Sequence, residues 1–302
     1  YYQYLIIIPI FVFFIESFST YGFFYNSLGH SKIHWQTYIG PVELMLQGGY
    51  LLWDVPSQYG FLSTITIYLM PFEDPWMKFY FLNSSLTFIF SIILFLVIWN
   101  RGNFLWMVIA FLISYSVIFL LPGGEWQFNT SSTPSSGMMR FFVSVILLLA
   151  IVKLQNSEWL RQLQIILPIW LVGVLWSFES AFYCSCIVFP WLINTVFFSS
   201  IEKNKKIISI VIFPISFIGV CAGISLYYKA NLGNLPDYWS FVEYAFAWVT
   251  KPNLMINSQP VNFKINGSIL ILIFIFSLLY ALAKNYSSNR SIIFSILFFL
   301  WA

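Results

Sequence analysis

Apolar runs of near membrane-crossing length dominate this chain of 302 residues. They cover roughly 4–19, 77–99, 104–121, 139–154, 164–178, 181–200, 207–228, 267–283 and 291–302. A helix rises about 1.5 Å per residue, so ~20 apolar residues cross a hydrocarbon core of ~30 Å. Only 8% of the residues are charged, against roughly 25% in soluble domains, too few to cover a water-facing surface. The expected fold is all-α, a polytopic membrane helical bundle forming one transmembrane domain over 1–302. The sequence starts at Tyr1 and stops at Ala302 inside an apolar run, so it reads as the N-terminal part of a longer chain.

Position matters more than net charge here. A balance of +3 gives no reason to expect nucleic acid. Arg101, the pair Lys153 and Arg161, the cluster Lys203, Lys205 and Lys206, and the pair Lys284 and Arg290 sit in short loops. Cytoplasmic loops are enriched in Lys and Arg. Placing these four groups inside gives a consistent alternation. Loop 20–76, loop 122–138, the Phe178-Glu179 corner and loop 229–266 then lie outside. Of the acids, only Glu158 and Glu202 fall on the inner side. The alternation requires that the short run 60–71, bounded by Gly60 and Pro71, does not cross.

The first outer loop concentrates polar and aromatic groups. Trp35 to Gln47 reads as a short helix ended by Gly48-Gly49, with Ile39, Glu43 and Leu46 on one face. Pro41 is expected near its start or at a kink. Tyr50 to Trp53 is apolar and can dip into the interface. Asp54 precedes Pro56, whose fixed φ stiffens the turn. A rigidly held acid beside aromatic rings suits a general base. The alternative is that Asp54 caps a helix beginning near Ser57. Glu73 and Asp74, before Pro75 and Trp76, read as a helix start.

His30 and His34 are four apart, but two histidines lack the third ligand a zinc site needs. His34 adjoins Trp35 and is the better binding candidate; an interfacial hydrogen-bonding role is the alternative. Glu179, between two apolar runs, is either the polar tip of a tight helical hairpin or a site acid. Arg140 is a cation at the outer end of a span. It suits a phosphate, which a guanidinium binds in bidentate fashion, or a lipid headgroup. Cys184, Cys186 and Cys221 lie in apolar runs and read as packing residues. No nucleotide fingerprint or zinc-type spacing is visible.

His34-Trp35, Gly48-Gly49, Asp54-Val55-Pro56-Ser57-Gln58-Tyr59-Gly60 and the Arg140 region, in this order after a first span, resemble the GT-C superfamily of integral membrane glycosyltransferases. That superfamily includes protein O-mannosyltransferases and aminoarabinose transferases. The resemblance covers roughly 1–200. It implies a GT-C-like bundle with juxtamembrane helices in a large outer first loop, in a multi-pass protein of the bacterial inner membrane. It implies a sugar donor on a polyprenyl phosphate and a glycan, lipid or protein acceptor, with the lipid bilayer as a further partner. An acid would deprotonate the acceptor, Arg140 would steady the leaving phosphate, and Trp35, Trp53 and Tyr59 would stack on sugar or line a lipid groove. It names no cofactor and leaves room for a divalent metal. The family places an acid soon after the first span, whereas Asn26 to His34 contains none. On this resemblance the expected base is Asp54, Glu43 or Glu16, and the alternative is an inactive member.

Two other classes compete. A transporter or flippase would carry ionisable or broken-helix positions deep in its spans. A polymerase or ligase of lipid-linked oligosaccharides would place its main loop later, as 229–266 allows.

Overall fold

A computed structural model describes residues 2–26, 30–99, 103–120 and 137–250. The regular structure of these residues is helical throughout, without a strand. Among the described residues, four helices are long and apolar enough to cross a membrane: Pro75–Trp99, Trp159–Trp176, Phe178–Phe197 and Lys203–Leu232. Tyr4–Ser19 and Phe104–Phe119 are shorter apolar helices. The described parts of the apolar runs from 4 to 228 are thus mainly helical, with a break at Ser177, while 267–283 and 291–302 lie outside the described residues. So do Arg101, Lys284, Arg290 and most of loop 122–138. The chain divides into two compact units, Tyr1–Phe142 and Val143–Ala302.

The first unit contains α1 (Ile7–Asn26), α2 (His30–Leu46), α3 (Phe61–Tyr68), α4 (Pro75–Trp99) and α5 (Phe104–Tyr115). α5 widens into a π-helical turn over Ser116–Leu120. Phe13 of α1 is fully buried against Phe95 and Trp99 of α4 and Met107 and Ala110 of α5. Phe18 meets Tyr80 and Phe81 edge-on or tilted, both ring centroids 6.1 Å away. The end of α1 therefore lies beside the start of α4. Asp74 starts α4 as expected: its Oδ1 accepts from the Trp76 N–H at 3.2 Å, and Pro75 fills the first helical position.

Three expectations about this unit need correction. α1 runs to Asn26, so it takes up the first residues of the proposed loop 20–76. α2 begins at His30, which puts Pro41 in the helix interior. Nothing helical begins near Ser57; α3 begins at Phe61 after Gly60, whose φ of 124° is open to glycine. With eight residues, α3 is only about 12 Å long. That is too short to cross, in keeping with the expectation for 60–71.

α6 (Met138–Leu154) begins just before the boundary between the units. The second unit continues with α7 (Trp159–Trp176), α8 (Phe178–Ile193), α9 (Lys203–Leu232) and α10 (Tyr238–Thr250). α7 and α8 form the expected tight hairpin, joined by Ser177 alone, whose Oγ accepts from the Ser180 N–H at 3.0 Å. Gly173 lets the helices close: a Cβ there would meet Cys184 Sγ, and Cys184 Cβ at 3.0 Å. Indole N–H groups join the helices by donating from Trp191 to Gln162 Oε1 at 2.9 Å and from Trp159 to Ser209 Oγ at 2.8 Å. Such bonds suit an apolar surround, where an unpaired polar group is costly. The cysteines pack as expected: all three are unbridged, and Cys184 is buried.

Candidate functional site

The end of the first unit that carries α2 and α3 is a small platform. Its floor is aromatic. Trp35 stacks on Trp76, with centroids 6.2 Å apart, and meets Phe79 edge-on at 4.9 Å. Tyr38 lies between Phe79 at 5.1 Å and Tyr59 at 4.1 Å, the latter nearly parallel at 7°. Offset ring pairs of this kind add ~0.5–1.5 kcal/mol each beyond burial. They also occupy the rings. Trp35 and Tyr59 are 3% and 7% exposed, their faces covered by neighbouring rings. Trp53, at 51%, is the exposed indole.

Glycine chemistry ends α2 as expected. The Gly49 N–H donates to Leu44 O and the Gly48 N–H to Met45 O, both at 3.0 Å, with Gly48 at φ 97°. This is the paired closure that satisfies a helix's last carbonyls. The next turn folds around Tyr50. Its carbonyl accepts from Trp53, Asp54 and Val55 N–H groups at 3.1–3.2 Å. Asp54 Oδ1 accepts from the Tyr50 N–H at 2.6 Å. The exposed carboxylate is thus fixed by its own turn. It does not cap α3, whose Gly60 cap has no side-chain bond. Leu52, buried in this turn, sits at φ 63°. A non-glycine residue there costs ~1–2 kcal/mol, and strain beside a functional group is a feature of sites.

Glu43 is exposed near the end of α2. The shared face expected for Ile39, Glu43 and Leu46 is not uniform, because Ile39 is buried and the other two are exposed. Ser57 and Thr64 hydroxyls lie 3.0 Å apart, and both reach the Gly60 carbonyl, at 3.1 and 2.9 Å. They tie the Asp54 loop to α3.

Glu16 lies elsewhere. Phe18 is level with Tyr80 and Phe81, so Glu16 is about 11 Å along the bundle from the start of α4. Its Oε1 accepts from the Tyr115 hydroxyl at 2.9 Å. Asp54 and Glu43, both exposed, follow one another along the α2 end and its turn, whereas Glu16 is half-buried within α1. His34 and His30 open α2, but their side chains lie outside the described residues. Arg140, half-buried, begins α6, with its guanidinium carbon 6.0 Å from the Phe141 ring centre. Glu179, half-buried in the first turn of α8, belongs to the second unit. Its charge suits a helix N-terminus.

One polar residue escaped the sequence reading. Lys78, in the first turns of α4, is buried, and its Nζ donates to Tyr68 O at 2.9 Å and Met70 O at 2.5 Å. The signal was available: a lysine at the supposed outer end of a span runs against the usual charge bias.

Among the described residues, no group of three or more His, Cys, Asp or Glu could hold a metal ion. No family model matches the sequence, and neither a curated protein nor a solved structure matches it.

Proposed function

We propose that the chain is a membrane glycosyltransferase of the GT-C type, moving a sugar from a polyprenyl-phosphate donor to an acceptor at the outer face of a bacterial inner membrane. The observation that carries this reading is Asp54. It is an exposed carboxylate locked by its own backbone turn, next to an exposed indole, on a platform built over apolar helices. Oδ1 holds the turn, and Oδ2 is left to take the proton from an acceptor hydroxyl. The acceptor oxygen then forms a bond to the anomeric carbon. The bond from that carbon to the phosphate oxygen breaks, and the phosphate leaves with the electron pair. Arg140 steadies that growing charge, and Trp53 offers its face to the sugar. Glu43 is the next candidate base.

The test is transfer of radiolabelled sugar from polyprenyl-phosphate donors by the protein in membranes. Asp54→Asn is expected to lose ~10²–10⁴ in rate. Near-normal transfer by this variant would remove Asp54 from the reaction. The pair Glu16–Tyr115 favours a second reading, a transporter or flippase, because an acid within the helical layer is what such proteins use. Transport of a lipid-linked sugar that fails in Glu16→Gln, without transfer, would support it.

A further inference from the structure

We infer that Lys78 is a positioning residue for Asp54, acting from the first turns of α4 through α3; this rests on the glycosyl-transfer reading for its functional half. Lys78 as a residue is 7% exposed. A buried charge is tolerated only when its donors are used. Two of its three N–H groups go to the Tyr68 and Met70 carbonyls. These belong to the last turn of α3 and the residues just beyond it, where carbonyls lack helical partners and a cation is favoured. The amine also lies 6.0 Å from the Tyr68 ring centre. One side chain therefore holds the C-terminal end of an eight-residue helix that could not persist alone in water.

The hold reaches the acid by a continuous path. One turn nearer the start of α3 lies Thr64, whose hydroxyl meets Ser57 and the Gly60 carbonyl. Ser57 is three residues beyond Asp54, in the loop whose Tyr59 ring is stacked on Tyr38. Lys78 thus fixes the tilt of α3, and α3 fixes the loop that bears the carboxylate. It touches no reacting group. Its effect is on orientation, and so on the rate of the chemical step more than on donor binding.

The experiment uses the full protein in nanodiscs and compares wild type with Lys78→Met and Lys78→Arg. Hydrogen exchange reads the platform, and transfer kinetics read the reaction. In Lys78→Met, amides of α3 and of residues 55–60 are expected to exchange roughly tenfold faster. α7 and α8 should stay unchanged, which shows that the protein is folded. kcat falls while KM for the donor is kept. Arg, whose planar fork can serve two carbonyls, restores both readouts at least in part. Unchanged exchange in α3, or faster exchange with unaltered kcat, would overturn the proposal. Absence of transfer from the wild type would sink the glycosyl-transfer reading instead, and the exchange comparison would still decide whether Lys78 holds α3.

Discussion

The Tyr115 hydroxyl donates a 2.9 Å hydrogen bond to Glu16 Oε1, joining α1 to α5 across 99 residues of sequence. Beside this pair, Phe13 meets Phe111 with centroids 5.5 Å apart. Such a bond between helices contributes ~0.6–1.5 kcal/mol. Tyr115→Phe should lose about this much, seen as a lower unfolding midpoint in detergent. Glu16→Gln keeps a carbonyl acceptor and should lose less, whereas Glu16→Leu should lose at least as much as Tyr115→Phe. Equal stability of Glu16→Leu and wild type would mean that the bond contributes nothing.

Asp54 has two roles that substitution can separate. Asn retains an oxygen that can accept from the Tyr50 N–H, so Asp54→Asn should keep the turn while losing the base. Asp54→Ala loses both. Exchange at the Tyr50 amide, protected in wild type and in Asp54→Asn, should rise in Asp54→Ala. Loss of protection in both variants would show that the negative charge is required for the turn.

Gly48 closes α2 at φ 97°, and a Cβ there would meet nothing within 4 Å. The obstacle to substitution is therefore the backbone and not crowding. Gly48→Ala should cost ~1–2 kcal/mol, measured as the unfolding midpoint. A cost near zero would mean that the turn relaxes to another closure.

At Gly173 the reverse holds. An added methyl would strike Cys184 Sγ, although alanine is the better helix former. Gly173→Ala is expected to destabilise the α7–α8 hairpin, and to do so less in a Cys184→Ala background, where the sulfur is gone. A double-mutant cycle reads the coupling. Additive effects would place the strain elsewhere.

Asp237 caps α10. Its Oδ1 accepts from the Ser240 N–H at 2.9 Å and its Oδ2 from the Ser240 hydroxyl at 2.7 Å. The backbone bond first, then the hydroxyl, hold its carboxyl below the usual carboxylate range. The unfolded group has the higher pKa, so the cap's contribution is fully present above the ordinary aspartate value of ~3.9. It is lost as pH falls through the lower folded value. Protection of the first α10 amides should persist from pH 7 to 5 and drop only in stronger acid. Asp237→Asn should remove that acid dependence; an unchanged profile would assign it to another group.

Particular residues show what could be read from the letters alone. Gly48-Gly49 gave the end of α2 and Asp74-Pro75 the start of α4; the corner expected at Phe178-Glu179 falls at Ser177, with Glu179 already in the first turn of α8. Each is a local event, settled by backbone preference within a few residues. Pro71 and Gly60 likewise bounded a helix too short to cross. The start of α2 was misjudged because His30 to Ile33 carry no strong cap signal.

The sequence by itself determined that the chain is a set of apolar helices with its acids gathered in a few segments, because length and hydropathy alone govern what can lie in hydrocarbon. Only the tertiary structure decided which polar groups remain available. Trp35 and Tyr59 are spent on ring stacking with residues of α2 and α4. Lys78 is spent on carbonyls eight and ten residues away, and Glu16 on a hydroxyl from α5. Asp54 stays exposed with one oxygen committed to its own turn. Exposure and hydrogen-bond partnership depend on contacts between distant segments, which residue type and spacing do not encode.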